Sequence, residues 1–331
     1  MLDAARANVM TRTALRWYHY ALLVIAAGTM QCAPWYIPPP IRSTLNRPPT
    51  AAEMAELWVE PVDVSHRDLF YGIGGAQLAP DPHARYEFVA KKHDFWASSP
   101  GYTVRDPSGL VWSVKLGAEV QAEVVASRLI WAAGYHQPPV YYVDRWQLYK
   151  DGRGTLQPPA RFRPKLARYK KRKGWSWHQN PFVGTRPYQG LLVLMLMLNN
   201  WDLTQSNNSI YKLREPWDGA RRWYVVRDVG ASFSRNRGTW FQGTRGDPEG
   251  FSHEGFIESV KEGRVVFAWS GVNRELFRNI SPDDVRWIAD RLAALTPQQW
   301  NDALRAGGYT PRDAGLIRRT LADRIAQARS L

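Results

Sequence analysis

Two acidic residues and an amide in the second half of the chain are spaced for work on phosphate. The run Asn199-Asn200-Trp201-Asp202-Leu203-Thr204-Gln205-Ser206-Asn207-Asn208 sets a carboxylate and an amide at the two ends of one short loop. It follows an apolar stretch, residues 191–198, that reads as a buried helix too short to span a membrane. Two β-prone segments come next, residues 209–213 and 223–227, and the second ends in Asp228-Val229-Gly230. Phosphoryl transfer to a hydroxyl needs such a set. One carboxylate must orient or deprotonate the attacking hydroxyl, while an amide oxygen and a second carboxylate hold Mg²⁺ against nucleotide phosphates. The short loop fixes the first separation, and the hairpin returns the second carboxylate to the same spot. A glycine after Asp228 is expected to let the backbone turn sharply. Either motif alone is common by chance; their order and context make the combination specific.

The elements that would position these groups are legible upstream. Residues 86–90, 102–104 and 111–116 read as strands, the last two flanking the turn composition Asp106-Pro107-Ser108-Gly109. A helix is expected over residues 118–133, with Gly134 as its terminator. Lys115 lies on the expected central strand, where a lysine on the buried side needs an anionic partner. Glu119 and Glu123, one helical turn apart, offer that partner, and Glu123 is preferred because it lies deeper in the helix. The final third is helical: Ser281-Pro282, Thr296-Pro297 and Thr310-Pro311 each set a capping hydroxyl before a proline at the first helical position, and Thr296 with Gln299 fits a capping box. Strands precede helices, so the fold class is α+β.

In this order of elements the chain resembles the atypical protein-kinase-like superfamily, which includes the HipA toxin kinases, the CotH spore-coat kinases, the secretory-pathway casein kinases and the phosphatidylinositol kinases. The resemblance rests on motif order over residues 85–310. It implies a two-lobed kinase-like fold, with a small β-rich N-lobe (51–150), a larger helical C-lobe (151–331) and nucleotide between them. It gives Asp202 the catalytic role, Asn207 and Asp228 the metal-ligand roles, and Lys115 the phosphate contact, with Glu123 or Glu119 holding that lysine. The function implied is an ATP- and Mg²⁺-dependent phosphotransferase acting on a hydroxyl. Departures from the pattern point to the alternative of a nucleotide-binding pseudoenzyme. Asn200 stands where many kinases have histidine, and the best substitute for a glycine-rich loop is Ser98-Ser99-Pro100-Gly101. Gly72-Ile73-Gly74-Gly75 precedes the first clear strand and reads as a turn. His66-Arg67-Asp68-Leu69 spells a catalytic loop but precedes Lys115, so it reads as a structural segment.

The 331 residues carry a formal charge of +14, which favours acidic partners. Much of that charge is crowded into residues 161–173, for which a solvated loop is the default reading. An acidic or hydroxyl-bearing substrate, or an anionic membrane surface, would meet this stretch, and nucleic acid is not the expected partner. A basic surface-binding protein is the third reading of the chain. Trp175 and Trp177 are either core anchors or a binding platform. A single cysteine, Cys32, excludes an internal disulfide, and no Cys/His cluster has zinc-ligand spacing. Basic residues followed by a short apolar run suggest that residues 1–33 form a signal peptide or membrane anchor, hence an exported or membrane-anchored protein. Residues 34–50 read as a Pro-rich linker.

Overall fold

The computed structural model describes residues 38–91, 100–236 and 243–331; the expected signal segment, Cys32 and Ser98-Ser99 lie outside the described residues. Along the chain, β1 (Arg42–Ser43) and helix α1 (Ala51–Met54) lead into β2 (Arg85–Lys91), β3 (Gly101–Arg105) and β4 (Val111–Leu116). Helix α2 (Val120–Ala132) follows, then β5 (Tyr141–Val143), β6 (Trp146–Lys150), β7 (Arg153–Gln157), β8 (Ala160–Pro164), β9 (Tyr169–Lys171) and β10 (Gln179–Asn180). Helix α3 (Arg186–Met197) precedes β11 (Asn208–Trp217) and β12 (Ala220–Val226). The rest is α4 (Pro248–Ser252), the hairpin β13 (Ile257–Lys261) and β14 (Arg264–Phe267), and helices α5 (Pro282–Ala293), α6 (Pro297–Ala306) and α7 (Pro311–Arg329). The class is mixed α+β.

Seven strands form one sheet in the order β5-β8-β4-β3-β2-β6-β7. Its two faces are chemically opposite because side chains alternate along a strand. Tyr86, Val104, Trp112, Val114 and Phe162 are buried together on one face. Thr103, Ser113, Lys115, Arg161 and Arg163 occupy the other, and α2 lies against it through Glu123. Antiparallel pairing sets Lys115 opposite Arg161 and Ser113 opposite Arg163. The register therefore decides which cations share a neighbourhood.

The hairpin between β3 and β4 is closed by Asp106, whose Oδ1 accepts from the backbone N–H groups of Ser108 and Leu110. Gly109 has φ +88, a conformation that favours glycine. Helix α2 is buried on almost every side and stops at Gly134, which has φ +98. The expected helix of 191–198 begins a turn earlier, with Thr185 as N-cap and Pro187 in the first turn. Its core face joins α5 and α7 in the largest apolar cluster, where Trp175 and Trp177 are anchors. The three C-terminal helices start at the expected caps, with capping boxes at Ser281 and Thr296.

Two expectations change. Arg42 and Ser43, inside the expected linker, pair in parallel with Gln179 and Asn180. Residues 161–173 are not a solvated loop: Ala160–Pro164 is a strand buried at every position, and Tyr169–Lys171 pairs with β11. His66-Arg67-Asp68-Leu69 is structural as expected, since Leu69 is buried and Arg67 Nη1 donates to the Trp131 carbonyl. Gly72 packs against the Arg128 guanidinium, leaving no room for a Cβ.

Phe162 is fully buried, with ring centroids of Tyr86, Trp146 and Trp112 at 5.0, 5.2 and 5.9 Å. Replacing it with alanine leaves a cavity that these rings cannot close. Phe162→Ala should cost about 3–5 kcal/mol in urea unfolding; a loss below about 1 kcal/mol would mean that this face does not hold the sheet together.

Candidate active-site cleft

The three-stranded sheet β12-β11-β9 faces the polar side of the seven-stranded sheet across a cleft of ≈ 610 Å³. Lys115 and Asp228, 113 positions apart in sequence, meet at one end of it. Lys115 Nζ lies 3.0 Å from both Asp228 Oδ1 and Oδ2. The same ammonium is 2.6 Å from Glu119 Oε1 and 3.2 Å from Glu123 Oε2. Both glutamates therefore engage Lys115, and Glu119 is the nearer.

The two glutamates differ in what else they hold. Glu119 is the N-cap residue of α2 rather than part of its body, and its carboxylate pairs with Arg245. Glu123 lies within the helix and is 1% exposed. Its Oε1 accepts from Arg163 Nη2 at 2.6 Å and lies 2.9 Å from Arg161 Nε in a salt bridge. Burial by itself would raise the Glu123 pKa. The nearby Arg161, Lys115, Arg163 and Arg227 outweigh that cost and hold the carboxyl well below the usual range. Burial, then repulsion from Arg227 and Arg161, pushes the Arg163 guanidinium down to about 9, so it stays protonated at neutral pH. Arg161 Nη1 also donates to the Ser113 carbonyl, and Arg163 Nη2 to the Arg227 carbonyl.

Asp228 is placed by backbone contacts. The N–H groups of Arg227 and Asp228 both donate to the Asn207 carbonyl, at 2.8 and 3.1 Å. The Asn207 side chain donates through Nδ2 to the Asp202 carbonyl at 2.8 Å, which closes the loop. One residue thus ties the first carboxylate's loop to the end of β12. Gly230 does not have positive φ. Its Cβ would instead sit 2.9 Å from the Glu119 Cβ, so glycine is required for close approach and not for the sharp turn expected.

Asp202 is about a quarter exposed. Burial raises its pKa, with repulsion from Asp228 adding to this and the Asn207 side chain opposing it. Arg245 Nη2 lies 3.5 Å from Asp202 Oδ2, and its guanidinium stands 5.1 Å from the Trp201 ring centroid. Arg245 therefore bridges the carboxylates of Asp202 and Glu119. Asn200 is buried with its Nδ2 against Met195 Sδ, away from any reacting role.

Oxygen donors from Asp202, Asn207 and Asp228 are the types a hard dication takes. Among the described residues no group of three or more His, Cys, Asp or Glu is gathered to hold a metal ion. No described helix is long and apolar enough to cross a membrane.

Sequence reasoning missed Arg161, Arg163, Arg227 and Arg245. The signal for the first two was present: Ala160-Arg161-Phe162-Arg163 alternates like a strand with one cationic face. Arg245 carries no local signal, because its role arises only from the approach of residues 243–247 to the start of α2.

No protein-family model matches the chain, and no curated protein does. Among solved structures it is similar to the Helicobacter pylori proinflammatory kinase CtkA, at 11% identity with a TM-score of 0.47. That likeness covers 74% of this chain and 95% of the other.

Removing the Glu123 charge strands two buried arginines. Glu123→Gln should destabilise the protein by about 3–5 kcal/mol at neutral pH. Because the folded pKa is depressed, this stability is fully present above about pH 4.3, the ordinary glutamate value, and is lost as pH falls toward the folded value. Chemical denaturation at pH 7 and near pH 3 should show the gap between wild type and variant shrinking in acid. A gap that stays constant would remove Glu123 from the centre of the network.

Proposed function

We propose that the protein is an ATP- and Mg²⁺-dependent phosphotransferase acting on a hydroxyl-bearing substrate. The supporting observation is the meeting of Lys115 Nζ with both carboxylate oxygens of Asp228 at 3.0 Å, beside the loop of Asp202 and Asn207. A lysine held by Glu119 and Glu123 is aimed as a phosphate contact requires, with its rotamers already restricted. Asn207 and Asp228 would hold Mg²⁺, which would neutralise charge on the phosphate oxygens. Phosphate binding would draw Lys115 away from Asp228 and release that carboxylate. Asp202 would accept the proton of the attacking hydroxyl; its raised pKa makes it a better base than an exposed aspartate.

A second reading, a nucleotide-binding pseudoenzyme, is favoured by one observation: Arg245 already sits against the Asp202 carboxylate. A base so paired is a weaker proton acceptor. Binding would then occur without transfer.

Two measurements separate these readings. ATP with Mg²⁺ at 100 times its Kd should stabilise the protein by about 2.7 kcal/mol, seen as a rise in Tm. Asp228→Ala should abolish that shift, and no shift for wild type at millimolar nucleotide would count against both readings. Transfer of labelled γ-phosphate to an acceptor or to water should fall about 10²–10⁴-fold in Asp202→Ala. The wild-type rate should rise with pH along a limb lying above about 3.9, the ordinary aspartate value, since the base must be ionised. Nucleotide binding without any transfer would select the pseudoenzyme.

A further inference from the structure

The three-stranded sheet β12-β11-β9 turns one face toward the cleft, through Tyr169 and Tyr211, and the other away from it. On that second face Ile210, Tyr224 and Val226 pack into the largest apolar cluster. Beyond them the residue type changes. Lys212 is paired directly with Lys170 of β9 and with Arg222 of β12. Two backbone hydrogen bonds extend the same register, from Arg214 N–H to the Arg168 carbonyl and from Arg172 N–H to the Ile210 carbonyl. Arg168, Lys170, Arg172, Lys212, Arg214 and Arg222 therefore share one face, and all six are exposed.

Direct cross-strand partners have Cβ atoms about 4.5–5.5 Å apart, and like charges so placed destabilise a sheet. Arg222 is relieved by Glu56 at 2.5 Å. Among the described residues no carboxylate pairs with the other five. With Glu215 and Asp218 at the hairpin tip counted, three carboxylates stand against six cations. An anionic partner would remove the repulsion that the bare face carries.

The cations lead away from the candidate site. Lys173 and Gly174 follow β9 and adjoin the loop of Asp202 and Asn207. The Lys173 carbonyl accepts from Ile210 N–H, and a Cβ on Gly174 would lie 2.8 Å from the Gln205 carbonyl oxygen. From Gly174 outward, Arg172, Lys170 and Arg168 lie at about 7, 13 and 20 Å, at a rise of about 3.3 Å per strand residue. Alternate side chains of an extended peptide repeat at the same interval of about 7 Å. A membrane would need apolar anchors beside the charge, and the exposed large apolar side chains Ile41, Val62, Val89, Leu156 and Val260 are not on this face. Single-stranded nucleic acid needs open rings for stacking. Here Tyr224 is buried, and Trp217 carries the Arg168 guanidinium over its ring at 5.3 Å.

We infer that this sheet face docks an extended acidic peptide, whose alternate carboxylates meet Arg172, then Lys170 with Lys212, then Arg168 with Arg214. That the docked segment belongs to the phosphoryl acceptor rests on the phosphotransferase reading; the docking surface does not. On that reading the substrate is a protein. Asp202 stands three positions before Gln205, so the carboxylates would fall about five, seven and nine residues from the acceptor hydroxyl.

Fluorescence anisotropy with the full chain at physiological ionic strength tests this. The probe is a labelled twelve-residue peptide with serine second and glutamate at the seventh, ninth and eleventh places; its comparison has glutamine at those three places. The glutamate peptide should bind at least about tenfold tighter, a difference of about 1.4 kcal/mol. The exposed quadruple variant Arg168→Gln/Arg172→Gln/Lys212→Gln/Arg214→Gln should lose that preference. A variant that removes as much charge elsewhere, Lys150→Gln/Arg153→Gln/Arg264→Gln/Arg274→Gln, should keep it within about twofold. Equal affinity for the two peptides, or an equal loss in both variants, would overturn the inference. So would tight binding of a deoxythymidine twelve-mer or of phosphatidylserine vesicles that is lost in the first variant, without peptide binding. With ATP and Mg²⁺, label transfer to the glutamate peptide or its reversed sequence should show a KM raised at least about fivefold in the first variant with kcat unchanged. Peptide docking without transfer to any acceptor would uphold the docking surface and overturn the phosphotransferase reading.

Discussion

Glu123 lies under the polar face of the seven-stranded sheet, almost wholly shielded from water, with Lys115, Arg161 and Arg163 around its carboxylate. None of these four charges could be kept there alone, because desolvating an unpaired ion costs several kcal/mol. Each is therefore tied to the presence of the others. The carboxylate comes from α2, Lys115 from β4 and the arginines from β8. A shift of one residue in the pairing of β4 with β8 would turn the arginines into the apolar face. The ion cluster thus demands one register and one helix position, and the cleft inherits its geometry from that demand.

From this centre the cleft's chemistry follows in two directions. Toward Asp228, Glu119 and Glu123 leave Lys115 pointing at the end of β12, and the Asn207 carbonyl sets the height of that end through two hydrogen bonds. Toward β9, the arginines extend the positive surface along the strand. The close approach of Gly230 to Glu119 joins the two halves, since any side chain there would push the Asp228 loop off α2. Arg245 adds a bridge between Glu119 and Asp202 that couples the carboxylate at the start of α2 to the one on the loop.

How much of this was legible depended on how local the signal was. Caps and turns depend on neighbours in sequence, so Ser281, Thr296, Thr310, Gly134 and the Asp106 turn fall where the residues predict. The Lys115 strand and the helix with Glu123 follow from periodicity. The basic stretch misled because composition weighs charge by number, whereas Arg161 and Arg163 are buried by a partner forty residues upstream. Gly230 was expected to serve a turn; its real constraint is contact with Glu119, which no spacing rule contains. Arg245 was invisible for the same reason. Among the described residues, the acid–amide–acid set could be found from sequence, while the cations that surround it required the pairing register.

Under the proposed function, the salt bridge between Lys115 and Asp228 holds the place of a nucleotide ligand. The most direct measurement is a crystal structure with a non-hydrolysable ATP analogue and Mg²⁺. The analogue is expected in the cleft, with Lys115 Nζ moved from the Asp228 carboxylate onto a phosphate oxygen and Asp228 turned to the metal ion. An analogue bound elsewhere, or a cleft with the Lys115–Asp228 contact of 3.0 Å intact at saturating ligand, would contradict it.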